Sequence, residues 1–272
     1  MNWNAVQAIV RKDLQVVFQN KGVSIPLIVV PVVILVAFPG LAALMSMSGD
    51  MAATDAAGLD KMISAMPAGI QTALAGYSMA QRLVVVLLVY IMAPMYLILP
   101  LITAITIACD SFAGEKERKT LEALLYTPTT DWELLLGKLL SAWLPAVGVA
   151  WGGFLLYTVL ANLAAWPAMG RLFFPTTMWV ILAVWVAPAV AGMGLGAMVL
   201  ISSRARTFQG AYQLGAMAVL PIVLLLGLQV TGVMVLSGWL VALLGLVFWV
   251  IDAALMWFGR RSFRRTKLAT QI

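Results

Sequence analysis

LVVVLLVYIMAPMYLILPLITAITIAC, residues 83–109, runs for 27 residues without one ionised side chain. A helix rises 1.5 Å per residue and the hydrocarbon core of a bilayer is about 30 Å thick, so about 20 apolar residues suffice to cross it. The stretch therefore reads as a membrane span. Working outward, five more candidates lie near 24–46, 137–163, 176–201, 211–229 and 238–258. Composition agrees: 63% of the 272 residues are hydrophobic and only 10% charged, with a mean hydropathy of +1.00, whereas a soluble domain carries about 25% charged residues. The expected fold class is an all-α polytopic membrane protein with six transmembrane helices. Histidine is absent, which removes imidazole bases and the usual zinc sites. Cys109 is the single cysteine, so no intrachain disulfide can form. We expect neither a metal nor a cofactor in this chain.

Charge sets the orientation. With the N-terminus in the cytoplasm, 14 of the 17 lysines and arginines fall inside, and only Lys61, Arg82 and Arg171 fall outside. That asymmetry obeys the positive-inside rule and puts both termini on the cytoplasmic side; the membrane is expected to be a bacterial or archaeal cytoplasmic one. Making 62–79 a seventh span would flip every later loop and expel eleven basic residues. Pro67, Gly69 and Gly76 interrupt that stretch as well, so it is read as an external or re-entrant helix within the external loop 47–82. Trp132, Trp166, Trp239 and Trp257 fall near span ends, where an indole keeps its ring in acyl chain and its N–H among headgroups.

Ahead of the first span, Trp3, Val6, Val10, Leu14 and Val17 recur at helical spacing beside a polar stripe of Asn4, Gln7, Arg11, Gln15 and Gln19. Residues 1–22 are expected to form an amphipathic interfacial helix, with a packed capping helix as the alternative. Pro31, Pro39, Pro94, Pro100, Pro145, Pro188 and Pro221 lie inside spans and can kink them. The run Gly192-Met193-Gly194-Leu195-Gly196 suggests close helix packing rather than a nucleotide loop, since no strand precedes it. Asp252 is a possible intramembrane polar site; a salt bridge to Arg204 or Arg206 is the expectation, because Asp252 stands roughly two turns before the basic tail 259–272. That tail suits anionic lipid headgroups.

The polar segment 110–130 differs from the other loops. Glu115 and Lys119, and Arg118 and Glu122, stand four apart, while Phe112, Leu121, Leu124 and Leu125 supply apolar contacts. Pro128 stops a helix, and Thr130 with Glu133 forms a capping box that starts the next. The segment is therefore a short amphipathic helix at the membrane surface, either a solvated connector or a docking element. Gly137-Lys138 lacks the remainder of a phosphate-binding loop. No catalytic motif occurs, so the chain is not expected to be an enzyme.

The run DSFAGEKERKTLEALLYTPTTDWELLLGK, residues 110–138, resembles the signature of ABC-2 type exporter permeases. The resemblance implies that 110–130 is a cytoplasmic coupling helix between spans two and three, docked on a separate ABC ATP-binding subunit. Its matching positions are Glu115, Glu117, Arg118, Thr120, Leu121, Glu122, Leu125 and Pro128, joined by Phe112 on the apolar face, with Gly137 and Lys138 at the start of span three. Lys119 stands where such runs commonly carry glycine. The same resemblance implies a permease subunit of an ATP-driven exporter. ATP and magnesium would be held by the partner, and a second permease copy would complete the path, a homodimer in preference to a heterodimer. An ATP-independent secondary transporter or channel, and a mechanotransmitter that moves no solute, are the alternatives.

Overall fold

The computed structural model describes residues 2–47, 53–64, 66–120, 130–205, 207–231 and 234–262. Among these no strand occurs, and six helices are long and apolar enough to cross a membrane: Lys21–Leu41, Met79–Glu117, Trp132–Met169, Thr177–Ser203, Phe208–Val230 and Gly238–Gly259, spans one to six. A separate helix, α1 (Trp3–Gln19), precedes them, capped by the Asn2 side chain. Two short helices, Ala53–Ser64 and Ala68–Ala75, lie between spans one and two. At 12 and 8 residues they measure about 18 and 12 Å, too short to cross. Pro67 separates them, and the Arg82 guanidinium donates to the carbonyls of Leu74, Ala75 and Tyr77 at the end of the second.

Spans two and four form the core, each 67% buried within the chain, against 17–22% for spans one, five and six. The glycine run explains how closely the core packs. Gly194 faces Leu101 and Ile105 of span two, while Gly196 faces Leu255 of span six, where a methyl would lie 2.7 Å from that side chain. Small residues thus let the backbones approach, as the sequence suggested.

Proline shapes the spans in a specific way. The π-turns Val33–Ala37, Val86–Ile91 and Leu182–Val186 lie just ahead of Pro39, Pro94 and Pro188. A proline ring clashes with the carbonyl four residues back, and in each case that residue, Leu35, Tyr90 or Val184, lies inside the widened turn. Widening relieves the clash but loosens backbone bonds, which within a membrane need new donors. The chain supplies them from other spans. Leu88 O accepts from Tyr157 Oη at 2.7 Å, Val89 O from Trp179 Nε1 at 2.8 Å, and Tyr90 O from Gln229 Nε2 at 2.5 Å. Three successive carbonyls of span two are thereby tied to spans three, four and five. Trp151 and Trp249 serve the carbonyls of Ala183 and Trp185 in the same manner. Trp132, Trp166, Trp239 and Trp257, the four read as interfacial, are exposed.

Spans two and three are longer than expected. Span two does not end at Cys109: the helix continues through a π-turn, Asp110–Gly114, to Glu117. The third helix begins at Asp131, capped by Thr130, and runs 39 residues to Met169. At about 58 Å such a helix exceeds the hydrocarbon thickness nearly twofold, so it projects beyond the bilayer. Span two is therefore continuous through residues 110–117, because nothing at 109 terminates the helix, while residues 121–129 of the expected 110–130 helix lie outside the described residues.

Candidate functional site

Helix α1 packs on span three through Val6, Ile9, Asp13 and Val17, a stripe spaced three and four apart. Gly137 permits the contact, since a methyl there would meet Ile9 at 2.9 Å. Asp13 sits in this otherwise apolar stripe at 3% exposure and needs partners. Its carboxylate accepts from Ser111 Oγ at 2.6 Å and Ser141 Oγ at 3.2 Å, with Lys138 Nζ at 3.9 Å.

Lys138 is buried at 0% exposure, the fully enclosed cation of the described residues. It donates to the Ser111 carbonyl at 2.6 Å, to Ser111 Oγ at 3.2 Å and to Glu115 at 2.5 Å, and lies 5.5 Å from the Phe112 ring centre. Lys12 closes the other side of Glu115 and stands 3.4 Å from Asp13. Two lysines and two acids thus neutralise one another across α1, span two and span three. Burial works against the Lys12 ammonium, but Glu115 and Asp13 outweigh it and hold its pKa above the ordinary 10.5. A raised lysine stabilises the fold at every pH below its unfolded value, so this contribution survives neutral pH and fades only as pH climbs past about 10.5.

A second group surrounds the first. Asp110 is buried at 2% exposure and pairs with Arg118 Nη1 at 3.0 Å. Glu117 accepts from the Phe208 backbone N–H at 2.6 Å, at the first turn of span five. Cys109 is buried beside the Phe208 carbonyl, a packing residue. The end of span two therefore grips α1, span three and span five together.

The helix stops after Glu117. Thr120 N bonds to the Glu115 carbonyl at 3.0 Å and Lys119 N to the Lys116 carbonyl at 3.2 Å, a Schellman closure. Lys119 occupies the left-handed position with φ +57°, alone among the described non-glycine residues. This geometry favours glycine at position 119. Lys119→Gly should raise stability by about 1 kcal/mol, because glycine adopts positive φ without a Cβ clash; a thermal melt in detergent micelles measures it, and a lowered midpoint would contradict the assignment.

The helical pair read from spacing at Glu115 and Lys119 is replaced, while the pair of Arg118 with Glu122 involves a residue outside those described. Lys119 lies beyond the helix, Glu115 turns inward to Lys12 and Lys138, and Arg118 turns back to Asp110. Phe112 and Glu115, expected to meet a partner, are 5% and 4% exposed and face the chain's own interior. Leu121, Glu122, Leu125 and Pro128 lie outside the described residues. The capping box is present as expected, with Glu133 N bonded to Thr130 Oγ1 at 3.2 Å and Thr130 N to Glu133 at 2.9 Å. Sequence reading missed Asp13, Ser111 and Ser141. Only Asp13 announced itself, as a carboxylate at a position the helical period assigns to the packed face.

Asp252 is also corrected. It lies at 6% exposure against Gly192, and neither carboxylate oxygen has a hydrogen-bond partner among the described residues. Gly192 is near the middle of span four and twelve residues before Arg204, about 18 Å along the helix. Of the two arginines expected to pair with it, the backbone of Arg204 thus lies far along the helix and Arg206 lies outside the described residues, and depth rather than proximity to the tail defines Asp252. No group of three or more potential metal ligands occurs among the described residues.

No curated protein and no solved structure matches the chain. A family model described as ABC-2 family transporter protein matches residues 7–249, which takes in most of α1, the buried charge cluster and the first half of span six. With nearly the whole chain matched, the protein belongs to the ABC-2 family of transporter membrane components.

Proposed function

We propose that this chain is the permease subunit of an ATP-driven exporter, worked by a separate ATP-binding subunit through the segment that follows the Schellman turn. The family implies an integral membrane component that is not itself catalytic and an ABC ATP-binding partner. One observation supports the coupling role: span two continues past the bilayer as a stiff helix whose end is fastened by charge to α1, span three and span five. A push at Thr120 would move three elements as one body, the rigid coupling that alternating access needs. Gly137 and Lys138 serve this reading as parts of the fastening, while docking falls to Leu121, Glu122, Leu125 and the outward charges Lys116 and Lys119. Spans one, five and six keep broad apolar faces free of the chain, consistent with a second permease copy, a homodimer in this proposal.

Copurification tests it. A tagged permease should retain its ATP-binding subunit, and Leu121→Asp with Leu125→Asp should abolish retention while the permease melting temperature holds. Undiminished recovery of the ATPase with that variant would remove the segment from the docking surface.

A further inference from the structure

Helix α1 carries a second apolar stripe that the fold leaves open. Trp3, Val10, Leu14 and Phe18 line a groove of about 680 Å³ against Leu140 and Leu144 of span three. Phe18 is 70% exposed and Trp3 54%, an apolar surface that would be unfavourable in water. Leu140 and Leu144 stand 8 and 12 residues into span three, about 12 and 18 Å from its start at Trp132, and Leu144 is itself exposed, so the groove is walled by apolar side chains of a membrane span. Its volume falls within the range of ligand sites.

Arg11 lines the same groove, is exposed, and has no ion pair among the described residues. No acidic side chain lines the groove. Gln7, Gln15 and Gln19 continue the polar stripe on either side of Arg11 at helical spacing and supply amide donors. An apolar slot on a membrane span, topped by a guanidinium without an ion pair among the described residues and by neutral donors, matches one class of molecule.

We propose that this groove binds an anionic phospholipid, its acyl chain along Leu14 and Leu144 and its phosphate at Arg11. A guanidinium presents paired N–H groups to phosphate oxygens, and basic pockets between membrane helices hold anionic headgroups. The lipid would fill the face of α1 opposite the charge cluster and hold the helix against span three. The site depends on membrane insertion alone and stands apart from motor docking.

Native mass spectrometry of the full chain, from nanodiscs of equal phosphatidylglycerol and phosphatidylcholine, tests it. The unmodified protein should keep phosphatidylglycerol through delipidation. Arg11→Gln should reduce the retained lipid about fivefold, the weight of one basic residue at an anionic surface, and Leu14→Ala with Leu144→Ala should also reduce it. Lys21→Gln, outside the groove, should retain it. Equal losses from Arg11→Gln and Lys21→Gln, with none from the leucine pair, would show general surface attraction and overturn the site. Retention of phosphatidylcholine as strong as that of phosphatidylglycerol, or recovery of a protein in place of lipid, would overturn it too. Unchanged circular dichroism of each variant separates loss of lipid from loss of fold.

Discussion

Glu115→Ala is expected to destabilise the permease by about 3–5 kcal/mol, the cost of stranding a buried charge. Lys138 has no path to solvent at 0% exposure, and without Glu115 its nearest acid is Asp13 at 3.9 Å, already engaged by Ser111 and Ser141. Denaturant titration in micelles measures the loss. The same logic predicts a rescue: Glu115→Ala combined with Lys138→Met removes both charges, fills the space with an apolar side chain, and should recover most of the stability. If Glu115→Ala alone shifted stability by less than about 0.5 kcal/mol, the size of an ordinary surface substitution, the buried cluster would not be the fastening described. The rescued protein also separates stability from coupling. It should fold, yet with span two held to α1 and span three by apolar contact alone, ATP turnover by the partner should respond less to substrate.

How much of this was legible beforehand depends on the range of the signal. Spans announce themselves because every residue of a long apolar run contributes to one sum, and Thr130 with Glu133 is a cap written within four residues. The end of span two is hard to place from spacing because the pair at Glu115–Lys119 assumes a helix that continues, whereas Lys119 turns left-handed and ends it. The family resemblance marks Glu115 and Lys138 as motif positions, but their meeting spans 23 residues and joins two helices; no local pattern contains it. Prolines were visible, but the widened turns ahead of them, and the Tyr157, Trp179 and Gln229 donors that satisfy Leu88, Val89 and Tyr90, come from three different spans. Tertiary geometry alone brings those partners together.

Gly192→Val should cost about 1–3 kcal/mol or more by overpacking, because the glycine site is already filled by the Asp252 carboxylate. The clash is specific, and a second substitution should reveal it. Asp252→Ala alone removes a buried carboxylate that has no hydrogen-bond partner among the described residues; the relief of that desolvation offsets the small cavity, so its effect should be near neutral or stabilising. Together, Gly192→Val and Asp252→Ala should be better than additive by about 0.5–3 kcal/mol, the range for residues in contact, read from melting temperatures in micelles. Strict additivity would mean that the two side chains do not share a space. Because spans four and six run parallel here, with Gly192 on Asp252, Gly196 on Leu255 and Gly259 on Val199, forcing them apart at Gly192 pries open one seam over its whole length. The double variant closes that seam with apolar contacts, so any transport defect it retains belongs to the lost carboxylate and not to helix spacing.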